Sequence, residues 1–77
     1  MSIKVRYFAS LKERVGHADA ELLLSEPLSA SQIWQQLNPD LAMPEGVLVA
    51  VNMEYAGLDT MVKDNDELAF FPPVTGG

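Results

Sequence analysis

One helix of useful length, marked by its own capping residues, sits in the middle of a chain otherwise patterned for strands. That arrangement narrows the folds open to 77 residues. Ser29 followed three positions later by Gln32 makes a capping box, and Leu28 and Ile33 stand at the positions of a hydrophobic staple. Ala30, Ile33, Trp34 and Leu37 recur at helical spacing and form one apolar stripe. Asn38-Pro39 ends it, because the residue before proline is pushed out of the α region. A striped helix must bury its stripe, and the rest of the chain offers strands to bury it against.

Ile3, Val5 and Tyr7 alternate with Lys4, Arg6 and Phe8, the pattern of a half-buried strand. Ser10 then opens a short helical turn over residues 11–15, closed by Gly16. Residues 20–25 read as a second, mostly apolar strand. Residues 47–51 form a β-branched apolar run suited to a buried central strand. Asn52-Met53 predicts a tight turn, with Glu54, Tyr55 and Ala56 pairing back as a short strand. Residues 58–62 are ambiguous, with a single helical turn as one reading. Residues 63–66 predict a turn, and residues 67–71 the final strand. Strand, strand, helix and further strands in this order predict an α+β fold, a mixed sheet wrapped over one main helix as a β-grasp roll. The expected division is a β-grasp body over residues 1–71 and an extended functional tail over residues 72–77.

The sheet has a second face. If Leu68 and Phe70 point toward the helix, Ala69 and Phe71 point away from it, and by the same alternation Phe8 faces away from Ile3, Val5 and Tyr7. Two outward aromatics on neighbouring strands would make an exposed apolar patch, and such patches mark interfaces. The turn before Tyr55 leaves its face open. Lys12, one turn beyond Phe8, is a candidate polar contact at the rim of that patch.

Several chemistries are disfavoured by composition. No cysteine is present, so neither a disulfide nor a thiolate metal site is available, and any sulfur handled by this chain cannot travel as a cysteine persulfide. His17 is the only histidine, so neither a catalytic dyad nor a histidine metal site is expected. Asp64, Asp66 and Glu67 lack the spacing of a calcium loop and read as turn residues; no metal site is predicted. Trp34 lies on the helix stripe and reads as core, and Met43, Met53 and Met61 read as gap fillers. A net charge of −6 disfavours nucleic acid and anionic lipid. The apolar stretches are too short to span a membrane, and the strand pattern begins at once after Met1-Ser2, so the expectation is a cytoplasmic protein.

What remains is the end of the sequence, Phe70-Phe71-Pro72-Pro73-Val74-Thr75-Gly76-Gly77. Two prolines favour an extended exit from the last strand, held away from the body. Two glycines without Cβ atoms are the slimmest strand that can enter a narrow channel. Gly77, preceded by Gly76, thus carries the one group with a specific chemical proposal. Its carboxylate is a poor electrophile until adenylated, after which a sulfur or nitrogen nucleophile can displace AMP.

This tail, the opening Ile3-Lys4-Val5 with Phe8-Ala9, and the run Val49-Ala50-Val51-Asn52 resemble the small subunits of molybdopterin synthase, which are ubiquitin-like sulfur carriers. The resemblance covers essentially the whole chain. It departs at Asn65, where the family usually has glycine, a change that a left-handed turn tolerates, and at Lys12, where some relatives have arginine. The resemblance implies that an adenylyltransferase similar to ubiquitin activators uses ATP to activate Gly77, which then becomes a thiocarboxylate. It implies that the tail, Pro72, Pro73, Val74 and Thr75 leading to Gly76 and Gly77, enters the large synthase subunit. There sulfur passes to cyclic pyranopterin monophosphate, and two transfers form the dithiolene of molybdopterin. Phe8, Tyr55 and Phe71 would dock on that subunit in a heterotetramer, and the carrier itself would bind no cofactor and catalyse nothing alone. Ubiquitin-like modification of other proteins is the alternative reading, and sulfur delivery for thiamine or tRNA thiolation is a third.

Overall fold

The structure is a computed structural model, described here for residues 2–73. The elements are β1 (Ser2–Tyr7), α1 (Ser10–Val15), β2 (Asp19–Leu23), β3 (Leu28–Ser29), α2 (Ala30–Leu37), β4 (Leu48–Val51), β5 (Glu54–Ala56), β6 (Met61–Val62) and β7 (Glu67–Phe71). Five strands form one sheet in the order β2-β1-β7-β4-β5. The first and last strands lie side by side and parallel, with Val5 opposite Leu68, while every other pairing in this sheet is antiparallel. A parallel pair needs a long crossover, and α2 supplies it, packed across one face. The arrangement is the expected β-grasp roll with a mixed sheet.

Along β1 and β7 every second residue is buried, so Ile3, Val5, Tyr7, Leu68 and Phe70 meet Ala30, Ile33 and Trp34 from α2. Each large apolar side chain so enclosed contributes about 1.5–3 kcal/mol. Trp34 is the keystone of this layer, with its ring edge-on to Phe70 at 5.1 Å and to Tyr7 at 5.8 Å. Its indole Nε1 donates to the carbonyl of Leu41 at 2.8 Å, which ties down the loop after the helix. Tyr7 keeps its hydroxyl partnered too, since Asn38 Nδ2 donates to it at 3.1 Å, and burial pushes its pKa above the ordinary phenol value.

The capping box forms as predicted, with Ser29 Oγ accepting from the Gln32 amide at 3.2 Å and Gln32 Oε1 accepting from the Ser29 amide at 2.9 Å. The other amides of the first turn explain where the sequence reading of residues 58–62 fails as a helix. Ala30 N–H donates to Thr60 O at 3.1 Å and Ser31 N–H to Leu58 O at 3.0 Å. A helix N-terminus has orphan donors to satisfy, and these carbonyls satisfy them. The segment is held as a turn followed by β6, which pairs with β3 in a two-stranded sheet of its own. The reading of the methionines as fillers is also corrected for two of the three. Met53 is 93 % exposed at the tip of the β4–β5 hairpin and Met61 is 56 % exposed, its strand neighbour Val62 taking the core position. The run at 47–51 lies inside the sheet as expected, but β7 holds the centre and β4 lies beside it.

Asn52 and Met53 both have positive φ, 52° and 71°, the geometry of a two-residue hairpin turn. Asn52 then acts as a clamp. Its Nδ2 donates to Asp66 Oδ1 and its Oδ1 accepts from the Glu67 amide, both at 2.9 Å, so the hairpin turn and the turn before β7 are joined. Among the described residues, no helix is long and apolar enough to cross a membrane.

Candidate functional site

The face of the sheet opposite α2 carries the residues of opposite parity. Arg6 on β1, Ala69 on β7, Ala50 on β4 and Tyr55 on β5 stand in one row across four strands. The two alanines form a low floor, and larger side chains rise around it. Phe8 and Phe71 stack with ring centroids 4.7 Å apart and planes 8° from parallel. Tyr55 stands 6.3 Å from Phe71, tilted by 56°. The hollow between these rings and the hairpin tip at Met53 has a volume of about 460 Å³. Phe8 is 38 % exposed and Tyr55 78 %, so the ring cluster faces solvent, while Phe71 between them is half-buried.

The β1–β7 register explains how Phe8 reaches Phe71. Tyr7 pairs with Phe70, and Phe8 N–H donates to Phe70 O at 3.1 Å just past the end of β1. Beyond it the chain turns sharply at Ala9, which has φ 53° and ψ −129°, a conformation costly for any residue with a Cβ. That turn starts α1, which Gly16 ends in a left-handed conformation at φ 98°. Lys12 on α1 is exposed and borders a shallow hollow with Phe8, Arg6 and Asp19. Between that hollow and the aromatic patch, both of which it lines, Arg6 has its Nε 3.4 Å from Glu67 Oε2. Arg6 is exposed and Glu67 half-buried at the surface, so this pair adds little stability.

The structure thus brings together Phe8, Tyr55 and Phe71, with Lys12 at the margin, and gives Tyr55 the face that its sequence left open. Pro72 and Pro73 follow directly from Phe71, and their place differs from the expectation of an exit held away from the body. Pro73 lies against Gly46, where an added Cβ would meet Pro73 Cβ at 3.0 Å. Val74, Thr75, Gly76 and Gly77 lie outside the described residues. His17 is exposed beside the Tyr7 ring at 6.0 Å. No group of three metal-ligating side chains occurs among the described residues. Sequence reasoning set Ala69 on the outer face but gave it no role, and did not single out Arg6, Ala50 or Gly46. Arg6 and Ala69 share the parity of Phe8 and Phe71 and were within reach of it, whereas Ala50 and Gly46 are placed by the β4–β7 register.

Comparison with known proteins fits this arrangement. The ThiS family profile matches residues 5–77. The molybdopterin synthase sulfur carrier subunit of Escherichia coli is 40 % identical over 97 % of this chain and 99 % of its own. Among solved structures, SAMP1 from Haloferax volcanii superposes with a TM-score of 0.79 at 26 % identity, both chains covered in full. A chain from the complex of subunits 1 and 2 of the Helicobacter pylori molybdopterin-converting factor shares the fold, with a TM-score of 0.64 at 22 % identity and full coverage of both. A profile match through residue 77 and a full-length relative at 40 % identity establish the chain as a member of the ThiS family.

Proposed function

We propose that this chain is the sulfur-carrier subunit of a cytoplasmic molybdopterin synthase and that its reacting group is the carboxyl of Gly77. The observation that carries the reading is the position of the Phe8–Tyr55–Phe71 patch, which adjoins the root of the Gly-Gly segment. A partner that grips the patch receives the tail in the same encounter. Six residues follow Phe71, and six extended residues span at most roughly 20–22 Å. The reacting centre of any partner docked on the patch therefore lies within that distance of Phe71.

The chemistry calls on two partners, with the carrier contributing a carboxyl and a grip. In the activating enzyme, the Gly77 carboxylate attacks the α-phosphorus of ATP and pyrophosphate leaves. Hydrosulfide then displaces AMP from the acyl adenylate to leave a thiocarboxylate, or a persulfide displaces it and a thiol cleaves the resulting acyl disulfide to the same product. In the large subunit, the thiocarboxylate sulfur bonds to a side-chain carbon of cyclic pyranopterin monophosphate and displaces an oxygen there. Water then cleaves the resulting thioester, returning the Gly77 carboxylate and leaving the sulfur on the pterin, and a second carrier delivers the second sulfur of the dithiolene in the same way. Pro72 through Thr75 serve as the stalk, and Lys12 and Arg6 meet acidic groups at the rim.

Reconstitution with an active large subunit tests this. A carrier bearing the Gly77 thiocarboxylate should convert the pyranopterin, and the same chain lacking Gly76 and Gly77 should fold but transfer nothing. No turnover by the complete thiocarboxylated chain would sink the reading in favour of sulfur delivery for thiamine or tRNA. The likeness to SAMP1, a small archaeal modifier protein by name, favours a second reading, attachment of Gly77 to lysines of other proteins. That reading predicts isopeptide conjugates, visible as heavier bands on a denaturing gel.

A further inference from the structure

The pairing of β4 with β7 continues in geometry past the point where its hydrogen bonds stop. Leu48 lies opposite Phe71, the last pair of the ladder. Extending the same antiparallel register by two positions puts Gly46 opposite Pro73. Proline has no N–H to donate, so the ladder ends at Phe71, yet the two backbones remain side by side. The Pro73 ring sits tight against the Gly46 α-carbon, since a Cβ at Gly46 would be 3.0 Å from Pro73 Cβ and 3.5 Å from Pro73 Cγ, a distance at which the ring must shift by a few tenths of an ångström. Directly opposed Cβ atoms in a ladder ordinarily keep ~4.5–5.5 Å. Gly46 also has φ +79°, so it meets two separate demands, a left-handed backbone and a bare α-carbon facing the proline. The residue is exposed to solvent, so core packing explains neither demand. On the other side, Pro72 and Pro73 border a cleft floored by Ser10 and Leu11 of α1 and by Pro44.

We infer that Gly46 is a positioning residue for group transfer. Its bare α-carbon is the seat for Pro73, and that seat sets the direction in which the reactive tail leaves the sheet. The inference deepens the carrier reading and rests on it for its functional consequence. Phe8, Tyr55 and Phe71 decide how tightly a partner holds the body, whereas the seat decides where the carried sulfur arrives. Anchoring the chain at Pro73, two residues beyond the docking patch, leaves less freedom to lose on entering a channel. A side chain at position 46 would push against the Pro73 ring and shift the point from which the tail leaves, while leaving the patch intact.

The test separates the two demands on position 46 in the full-length chain. Gly46→Asn tolerates the left-handed backbone but adds the Cβ. Gly46→D-Ala, made by ligating synthetic peptides, suits the same backbone and places its methyl on the other side of the α-carbon, away from Pro73. Three quantities are read: the proton–proton contact between residue 46 and the Pro73 ring in the free chain, the Kd for the large subunit, and the single-turnover rate of sulfur transfer. Gly46→Asn should lose the contact, keep Kd within about threefold, and slow transfer by roughly ten- to a hundredfold, as ångström-scale misplacement does. Gly46→D-Ala should match the parent in all three. Pro73→Gly, which removes the seated ring, should slow transfer similarly, and adding Gly46→Asn to it should slow transfer no further, the mark of one shared interaction. Transfer at the parental rate by folded Gly46→Asn, equal slowing by both changes at position 46, or additive slowing in the double variant would overturn the seat. If Gly46→Asn does not fold, Pro73→Gly decides, and transfer at the parental rate refutes the inference. A parent chain that transfers no sulfur refutes the carrier reading instead, and the proton contact in the free chain still tests the seat.

Discussion

Phe70 and Phe71 are adjacent, identical in chemistry and opposite in consequence. Phe70 is fully buried, edge-on to Trp34 and stacked on Tyr7 at 5.9 Å. Phe71 is turned to the other face, where it stacks on Phe8 and is only half-covered. The period-two alternation of a strand separates them, and with them two tasks of the molecule. One face of β7 holds the helix against the sheet, and the other carries the exposed ring patch proposed to meet a partner. In so small a domain a single strand can thus supply core packing on one face and leave the other free for the proposed recognition, because consecutive side chains point to opposite faces of the sheet.

Breaking each face separately gives the largest contrast. Phe70→Asp should abolish folding, because it buries an unpaired charge and removes a large core ring, a change worth at least about 3–5 kcal/mol. A domain of this size has roughly 4–12 kcal/mol in total. Phe71→Asp should retain a cooperative melt with an unfolding free energy within about 1–2 kcal/mol of the parent, yet weaken docking on the large subunit by roughly thirtyfold or more. Circular dichroism melts and binding calorimetry read both, and severe unfolding of Phe71→Asp would break the comparison. Ala69→Leu sharpens it further by filling the floor of the hollow from the open face. Docking should weaken by about tenfold with little change in stability, an overpacking effect confined to the interface. Unchanged affinity would mean that partners touch the rings but not the floor between them.

Smaller effects are expected where a residue serves the fold alone. The Lys63 backbone N–H donates to Asp66 Oδ2 at 2.9 Å, and Asn52 Nδ2 donates to Asp66 Oδ1; with Lys63 nearby, these hold its carboxyl below the ordinary carboxylate pKa. A depressed folded pKa means that the ionised form stabilises the folded chain above the unfolded pKa, near ~4, and that this contribution is lost as pH falls through the lower folded value. Melting temperature should decline below about pH 4, and Asp66→Asn should remove part of that decline while costing about 1 kcal/mol at neutral pH. Docking measured at pH 7 should not change, since Asp66 precedes β7 at the end opposite Phe71. The smallest change is expected at Ala9, which holds a strained backbone with φ 53°. Ala9→Gly relieves strain of order 1–3 kcal/mol against an entropic cost of about 0.5–1 kcal/mol, so it should be neutral or slightly stabilising. A clear loss of stability there would show that the Ala9 methyl has a packing role.

Much of this architecture is legible in local patterns. The alternation in β1 and β7 separates Ile3, Val5, Tyr7, Leu68 and Phe70 from Phe8 and Phe71, because side-chain direction in a strand depends only on position along it. Ser29 and Gln32 mark the start of α2, because a capping box closes within four residues. The positive φ of Asn65, 72°, sits where the Lys63–Asp66 turn was expected. These features need no partner distant in sequence.

Other features were not legible, for an equally physical reason. Residues 58–62 carry no period of their own, and their form is set by amides at the start of α2 that need acceptors. Tyr55 joins the patch because Ala50 lies opposite it on β4 and opposite Ala69 on β7. Gly46 meets Pro73 only because that same register runs on beyond the ladder. Local pattern alone thus specified the five strands of the main sheet, the capped helix, the two faces of β7 and the candidate chemistry of the final glycines, since each depends on neighbours in the chain. Only the tertiary structure decided which strands lie side by side and in what register. Those pairings join residues far apart in sequence, and their alignment follows from closing one sheet around one helix.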